Sequence, residues 1–397
     1  MLLSQQLLAI PASLFSLVST EQVPLKIPDA KYPWIRRYAS IGDSYAAGLG
    51  SGSRIDWSCS RYNNSYPNIL HASFLGDDPK RNHQFLACTG AASTDVIEKQ
   101  IPALHDNLDL LTISAGGNDV GLTVILNNCI YQFFMAGEDD CELAMEEARQ
   151  NIHNETQLHR NVTLLYEAVK PKMNKHGIVY VTGYATFFGI ADELCDSVTW
   201  AVWDGVESGQ TKQFLTLERR ISLNKLVQSV NLVLREATEA MGPNFRFIDY
   251  DKHIAEGRGR YCEVGVQEPA PNRWGLDFYE WNTIDSGENS TEMGRTGDDV
   301  PKGSFEGDIA ERINKTLQEH PDWQFDPDKG FVNKSKTMVR EEGIIGDTIS
   351  WMLPDSWKRV FHLRPQAHAL IAALISEDLQ KKEGKDTVHP NFLAALP

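Results

Sequence analysis

The sequence predicts an α/β fold, a three-layer α/β/α sandwich around a central, mostly parallel sheet of five strands. Two observations support this prediction. Short apolar runs alternate along the chain with longer stretches in which apolar residues recur at helical spacing. The apolar runs also lack a regular alternation of apolar and polar residues, which is typical of strands buried on both faces. Such strands, separated by helices, form parallel sheets with helices on each face.

Five apolar runs are the predicted strands. Their sequences are YASIG, QFLAC, LLTISA, GIVYVTGY and FRFIDY, at residues 38–42, 84–88, 110–115, 177–184 and 245–250. The longer stretches with helical spacing predict helices at residues 141–173, 213–241 and 366–381.

The chain between the last two predicted helices has a different composition. Residues 255–350 are rich in Gly, Asp, Glu, Asn and Pro, with scattered Trp. We interpret them as a long insertion in one domain that spans residues 21–397. Because the insertion ends shortly before His362, we expect it to help shape a binding pocket.

The charge of the chain excludes some classes of partner. Of its 397 residues, 42% are hydrophobic, so the chain can bury a sizeable core. Its net charge of -16 argues against nucleic acid and anionic lipid surfaces, because phosphates would be repelled. A neutral ester, a sugar or a single lipid molecule is compatible with this charge.

Residues 1–20 are predicted to be a secretory signal peptide. They are apolar from Leu7 to Val18 and contain no charged side chain before Glu21. This run is too short to span a bilayer, and no other stretch is apolar enough to form a membrane anchor. An amphipathic helix packed on the domain is the alternative, since the basic residues that usually precede a signal peptide's apolar region are missing.

The cysteines and glycosylation sequons also favour the secretory route. The even number of cysteines suits three disulfides, and the absence of a Cys-x-x-Cys pair argues against zinc or redox chemistry. Six buried free thiols in a cytosolic enzyme are the alternative. The cysteines are Cys59, Cys88, Cys129, Cys141, Cys195 and Cys262. The sequons begin at Asn63, Asn154, Asn161, Asn289, Asn314 and Asn333.

Three predicted loops carry residues suited to catalysis. They are Gly42-Asp43-Ser44, CTGAAST at residues 88–94, and GGND at residues 116–119, each after a predicted strand. In a parallel α/β sheet, ligands bind beyond the carboxyl ends of the strands. A serine nucleophile needs oxyanion donors and a base.

The three loops supply the donors, and a later segment supplies the base. The backbone N–H groups of Ser44 and Gly90 and the side chain of Asn118 are the candidate donors, and His362 or His368 is the candidate base. We prefer His362, because it precedes the last helix and can face the sheet edge. In isolation each residue has a structural explanation: Ser44 or Asn118 as a helix cap, Gly90 as a turn glycine.

Together these motifs resemble the SGNH, or GDSL, hydrolases. The pattern consists of GDS, a glycine in the second loop, GGND and a histidine before the last helix. ACTGA at residues 87–91 and RYCE at residues 260–263 are most similar to secreted esterases and lipases of actinomycetes and filamentous fungi. The resemblance implies a flavodoxin-like fold, Ser44 as nucleophile and His362 as base. It also implies the disulfides Cys59–Cys88, Cys129–Cys141 and Cys195–Cys262.

The chain departs from this family at the last block, which usually reads Asp-x-x-His-Pro. Arg359 stands in place of the aspartate and Leu363 in place of the proline. We therefore predict a Ser–His dyad in which a backbone carbonyl just before His362 orients the ring, with Asp355 as a weaker candidate.

The resemblance implies a secreted ester hydrolase that requires no metal or organic cofactor. Its substrate is expected to be a small-molecule, lipid or polysaccharide ester. An inactive carbohydrate-binding protein on the same scaffold, and an amidase or peptidase, are the alternatives.

Overall fold

The computed structural model describes most of the chain between residues 31 and 382. The described parts are residues 31–131, 139–153, 157–200, 212–280 and 359–382, apart from residues 57 and 77, and short pieces between residues 318 and 333. The predicted signal peptide, Asp355 and most of the predicted insertion lie outside the described residues.

A five-stranded parallel sheet forms the centre of the molecule, as predicted. Its strand order is β4-β1-β5-β6-β7, and all pairs are parallel. These strands are β1 (Arg37–Gly42), β4 (Asn82–Phe85), β5 (Leu108–Ser114), β6 (Met173–Thr182) and β7 (Phe245–Ile248). Two small antiparallel pairs lie outside this sheet: β2 (Arg54–Asp56) with β3 (Arg61–Tyr62), and β8 (Trp323–Asp326) with β9 (Gly330–Asn333).

The second predicted strand is offset from the observed one. β4 begins two residues earlier than predicted, at Asn82, and its ladder ends at Phe85. The backbone still runs beside β1 beyond that point, because the N–H of Cys88 donates to the Gly42 carbonyl over 2.9 Å. The predicted residues 84–88 therefore run alongside β1, but regular strand pairing stops at Phe85.

Helices cover both faces of the sheet. The described helices are α1 (Ser44–Ala47), α2 (Tyr66–Ile69), α3 (Ser93–Asp95), α4 (Leu122–Leu126), α5 (Asp140–His153), α6 (Leu158–Val169), α7 (Leu217–Ala240), α8 (Asp251–Glu256) and α9 (Pro365–Lys382). The helices α3, α5, α6 and α7 pack against one another, whereas α9 packs against α2 and β7. This arrangement gives the three layers that the sequence predicts.

The predicted helix at residues 141–173 is wrong in its extent. It contains two helices, α5 and α6, and the second ends in a short 3₁₀ turn at Lys170–Lys172. Pro171 lacks a backbone N–H and cannot continue an α-helix. Met173 already belongs to β6.

The apolar side chains of the central strands form the middle of the hydrophobic core. Ile41, Ile113 and Val179 lie on three adjacent strands, and all three are fully buried.

Three disulfides join loops around this core: Cys59–Cys88, Cys129–Cys141 and Cys195–Cys262. The predicted pairing is therefore confirmed.

Within the described residues, no helix is both apolar and long enough to cross a bilayer. The same part of the chain contains no cluster of three or more His, Cys, Asp or Glu side chains that could bind a metal ion.

Candidate active site

The three predicted loops meet at one edge of the sheet, because β4, β1 and β5 are neighbours that run in the same direction. Gly42 ends β1 with a φ of +130°, and a Cβ at this position would lie 2.0 Å from the Ser114 carbonyl oxygen. Only glycine suits such a backbone and such a close approach. The N–H of Asp43 then donates to the same oxygen over 2.8 Å. This turn directs the next residue, Ser44, beyond the edge of the sheet.

Ser44 is the first residue of α1, and Asp43 is the helix cap. The Asp43 Oδ1 accepts the N–H of Tyr45 over 2.9 Å. The interpretation of Ser44 as a capping residue is therefore wrong, since the carboxylate of Asp43 caps the helix. The Ser44 hydroxyl is left to contact another part of the chain.

That contact is with His362. The His362 Nε2 lies 2.7 Å from the Ser44 Oγ, and its Nδ1 lies 3.3 Å from the Val360 carbonyl oxygen. This carbonyl belongs to the residue two positions before the histidine, in the short stretch where the sequence predicts the orienting carbonyl. A ring that donates from Nδ1 to this carbonyl presents an unprotonated Nε2 to the serine.

His362 is held in place by backbone pairing with a distant segment. The N–H of Tyr279 donates to the His362 carbonyl over 2.9 Å, and the N–H of Phe361 donates back to the Tyr279 carbonyl over 3.0 Å. Phe361 has a φ of +66°, an uncommon conformation for a residue other than glycine. Its carbonyl accepts the Tyr45 hydroxyl over 2.8 Å, which ties this turn to α1.

His368 occupies a different environment. It lies in α9, is 1% exposed, and its Nδ1 accepts the N–H of Tyr66 over 3.3 Å. Burial, assisted by the charge of His362, lowers the pKa of His368 to about 3. Of the two candidate bases, only His362 contacts Ser44.

Besides the Ser44 N–H in the first loop, the candidate oxyanion donors lie in the second and third loops. Gly90 has a φ of +82°, which favours glycine. The Asn118 side-chain amide donates to the Ala91 carbonyl over 3.1 Å and thereby joins the two loops. A primary amide carries two protons, and this contact uses one of them.

Comparisons with known proteins identify the family of the chain. The model of the GDSL-like lipase/acylhydrolase family matches residues 40–265, which is more than half of the chain. The chain belongs to the GDSL-like lipase/acylhydrolase family.

Among members of this GDSL-like family, the chain is similar to lipases of Streptomyces. It is 33% identical to a lipase of Streptomyces rimosus over 153 residues, which cover 38% of this chain and about half, 53%, of that protein. It is 27% identical to Lipase 1 of Streptomyces coelicolor over 267 residues, covering 66% of this chain and 84% of that protein. The crystal structure of the extracellular lipase from Streptomyces rimosus aligns with a TM-score of 0.46 and 27% identity, covering 57% of this chain and 85% of that one.

Arg359 marks where this GDSL-like chain departs from the family pattern. It replaces the expected aspartate, is largely buried, and its guanidinium lies 4.4 Å from the centre of the Tyr279 ring. Its side chain also packs against Gly50, where a Cβ would lie 2.4 Å from the Arg359 Cβ. The position therefore contributes packing and a cation–π contact to the segment that carries His362.

A buried network behind Ser44 was not predicted. The Tyr184 hydroxyl donates to the Asp43 Oδ2 over 2.5 Å and accepts the Gly117 N–H over 3.1 Å. Burial raises the pKa of Asp43 to about 7, although the hydrogen bonds from Tyr184 and the Tyr45 N–H oppose the rise. Tyr184 follows the carboxyl end of β6, and that position is the one signal in the sequence that could have drawn attention to it.

Proposed function

We propose that this protein is a secreted serine esterase that cleaves carboxylic esters through an acyl-enzyme on Ser44. The observation that carries the proposal is the 2.7 Å contact between the Ser44 Oγ and the His362 Nε2. A lipase or acylhydrolase cleaves carboxylic esters, so the family of the chain supports the same class of reaction.

The first half of the reaction forms the acyl-enzyme. His362 removes the hydroxyl proton of Ser44 while the Ser44 oxygen attacks the ester carbonyl carbon. The developing negative charge is on the former carbonyl oxygen. The N–H groups of Ser44 and Gly90 and the amide of Asn118 stabilise that oxygen. His362 then gives its proton to the leaving alcohol, and the carbon–oxygen bond to the alcohol breaks.

The second half repeats these steps with water. His362 takes a proton from the water, whose oxygen attacks the acyl carbon, and the proton returns to Ser44 as the acid leaves. The histidine is oriented by the Val360 carbonyl, a neutral acceptor. A carbonyl holds the ring in the required tautomer but stabilises the imidazolium less than a carboxylate does, because it carries no net charge.

Secretion is supported by the chemistry of the cysteines. All six form disulfides in the structure, and such bonds persist in oxidising compartments. The apolar character of residues 1–20 and the six sequons are consistent with the same route.

The proposal is tested by replacing Ser44 with alanine. We expect Ser44→Ala to abolish turnover of p-nitrophenyl acetate while the circular dichroism spectrum and melting temperature stay close to those of the unchanged protein. Matched amide and ester substrates measured on the unchanged protein distinguish an esterase from an amidase. Normal ester turnover by Ser44→Ala would refute the proposal.

A further inference from the structure

A buried carboxylate directly follows one of the candidate oxyanion donors. Asp119 is the residue after Asn118 and is 8% exposed. Its Oδ2 accepts the backbone N–H of Ser93 over 3.0 Å and the Ser93 hydroxyl over 2.9 Å. Its Oδ1 accepts the side-chain amide of Asn161 over 3.0 Å. Both oxygens of the Asp119 carboxylate are therefore engaged, by three donors from two other segments of the chain.

The bonds of Asp119 join the two loops that carry Gly90 and Asn118. Ser93 lies in the second loop, is fully buried and begins α3. The same two loops are also joined by the Asn118 amide, which donates to the Ala91 carbonyl over 3.1 Å. Two consecutive residues of the third loop thus bind positions 91 and 93 of the second. Two connections fix both the separation and the relative rotation of the loops, whereas a single one would leave a pivot.

Asn161 ties Asp119 to the layer of helices. It lies in α6 (Leu158–Val169), a helix whose apolar face is fully buried. Asp119 is therefore bonded to a well-packed helix as well as to the second loop. A functional side chain that is supported from a rigid element is held more precisely than one supported by loops alone.

We infer that Asp119 is a positioning residue that sets the distance between the oxyanion donors Gly90 and Asn118. This inference rests on the proposed function, since the oxyanion forms only in that reaction. The donors must already be in place when negative charge develops on the substrate oxygen. A displacement of about 1 Å in such a site can lower the rate about 100-fold. Asp119 itself is no oxyanion donor, and it acts through the two loops that it joins.

Asp109 provides a matched control at the other end of β5. It is the second residue of that strand, and its Oδ2 accepts the backbone N–H groups of Arg36 and Arg37, each over 2.8 Å. Its Oδ1 accepts the side-chain amide of Asn174. Asp109 and Asp119 thus each accept two donors from one segment and an asparagine amide from another. Asp109 lies at the amino end of the strand, whereas the loops of the site follow the carboxyl ends.

The first experiment compares Asp119→Ala with Asp109→Ala, using kcat and KM for p-nitrophenyl acetate and unfolding in urea. Both variants should unfold at lower urea concentrations, because each removes the acceptor of three donors. Asp119→Ala should lower kcat about 10-fold or more and change KM less than about 3-fold, because displaced donors weaken binding of the transition state. Asp109→Ala should keep kcat within about 3-fold of the unchanged protein. Equal losses of kcat in the two variants would overturn the inference.

A double variant separates positioning from a general loss of stability. If Asp119 acts through Asn118, its replacement matters less once the Asn118 amide is absent. The variant that combines Asn118→Ala with Asp119→Ala should therefore keep a kcat about 5-fold or more above the value expected from multiplying the two single effects. A kcat equal to that multiplied value would contradict the inference. Ser93→Ala, which removes only the hydroxyl bond, takes the place of Asp119→Ala if that variant does not fold, and multiplying effects would again contradict the inference.

Failure of the inference and failure of the proposed function give different results. If the unchanged protein hydrolyses no ester, or if Ser44→Ala hydrolyses esters normally, the proposed function is wrong. If esters are hydrolysed through Ser44 but Asp119→Ala behaves like Asp109→Ala, the function holds and Asp119 is an ordinary structural residue.

Discussion

The hydroxyl of Tyr184 donates to the buried carboxylate of Asp43 over a distance of 2.5 Å. The same hydroxyl accepts the backbone N–H of Gly117 over 3.1 Å. Asp43 precedes the nucleophile and Gly117 precedes a candidate oxyanion donor, so one side chain joins the two loops. Tyr184 is therefore a positioning residue, because it acts on Ser44 and Asn118 through their neighbours.

Replacement of Tyr184 by phenylalanine tests this role. Tyr184→Phe removes the partner of the Asp43 Oδ2 and of the buried Gly117 N–H, which costs about 1–3 kcal/mol of stability. We expect kcat to fall about 10-fold or more with a smaller change in KM, because loop position matters most in the transition state. Both quantities are measured with p-nitrophenyl esters, and unfolding is measured in urea.

Tyr38→Phe is the matched control for Tyr184→Phe. Tyr38 is equally buried, and its hydroxyl contacts the Pro67 carbonyl and the Thr112 hydroxyl, away from Ser44. It should lower stability without lowering kcat. If the two variants lost the same activity, Tyr184 would be an ordinary core residue.

The two histidines near the last helix should differ in their effect on catalysis. His362→Ala removes the group that contacts Ser44 and should lower kcat by about 10⁴-fold or more. His368→Asn keeps an acceptor near the Tyr66 N–H and should lower stability while kcat stays within about 10-fold. A greater loss of kcat in His368→Asn than in His362→Ala would identify the other histidine as the base.

Asn118→Ala tests the oxyanion donors. Loss of one such donor lowers kcat by about 10²–10³-fold, and KM should change little because the donor acts mainly on the transition state. The Asn118 amide also joins two loops through the Ala91 carbonyl. If that contact were its whole role, stability would fall and KM would rise together with any change in kcat.

A buried pair of carboxyl groups should make stability depend on pH. Glu280 is fully buried beside Glu268, and its Oε2 accepts the Ala270 N–H over 3.1 Å. Burial, together with the charge of Glu268, raises the pKa of Glu280 to about 8 from its ordinary value of 4.5. The folded protein thus keeps a proton that the unfolded chain has lost, so stability falls as pH rises from about 4.5 to about 8.

Glu280→Gln should make this dependence less steep, and the buried Asp43, whose pKa is raised to about 7, should account for part of the remainder. The uncharged amide removes the titration, which contributes at most about 1.4 kcal/mol per pH unit. Urea unfolding at several pH values between 4.5 and 8 measures the slope. Glu256→Gln is the control, because that side chain is 73% exposed. A slope in Glu280→Gln equal to that of the unchanged protein would contradict the assignment.

The sheet and the main helices could be predicted because their signals are local. Strands buried on both faces are continuous apolar runs, and each of the five runs overlaps a strand of the sheet, with the second run offset from β4. The break between α5 and α6 was missed, since apolar residues continue at helical spacing through both helices. The loops after β1, β4 and β5 could be placed at one edge because parallel strands end together.

The remaining features depend on packing between distant segments. The position of His362 before the last helix favoured it over His368, but the orientation of its ring toward Ser44 depends on the backbone pairing with Tyr279, which no local pattern encodes. The role of Tyr184 requires that β6 lie beside β5. The predicted contribution of residues 255–350 to a pocket stays a prediction, because most of them lie outside the described residues.

The most direct test of the Ser44–His362 account is covalent labelling with a fluorophosphonate, followed by peptide mapping with mass spectrometry. The account predicts one adduct, on the peptide that contains Ser44, formed rapidly by the unchanged protein and far more slowly by His362→Ala. Ser44→Ala should form none. Ester turnover by a protein that carries no adduct, or an adduct on another serine, would contradict it.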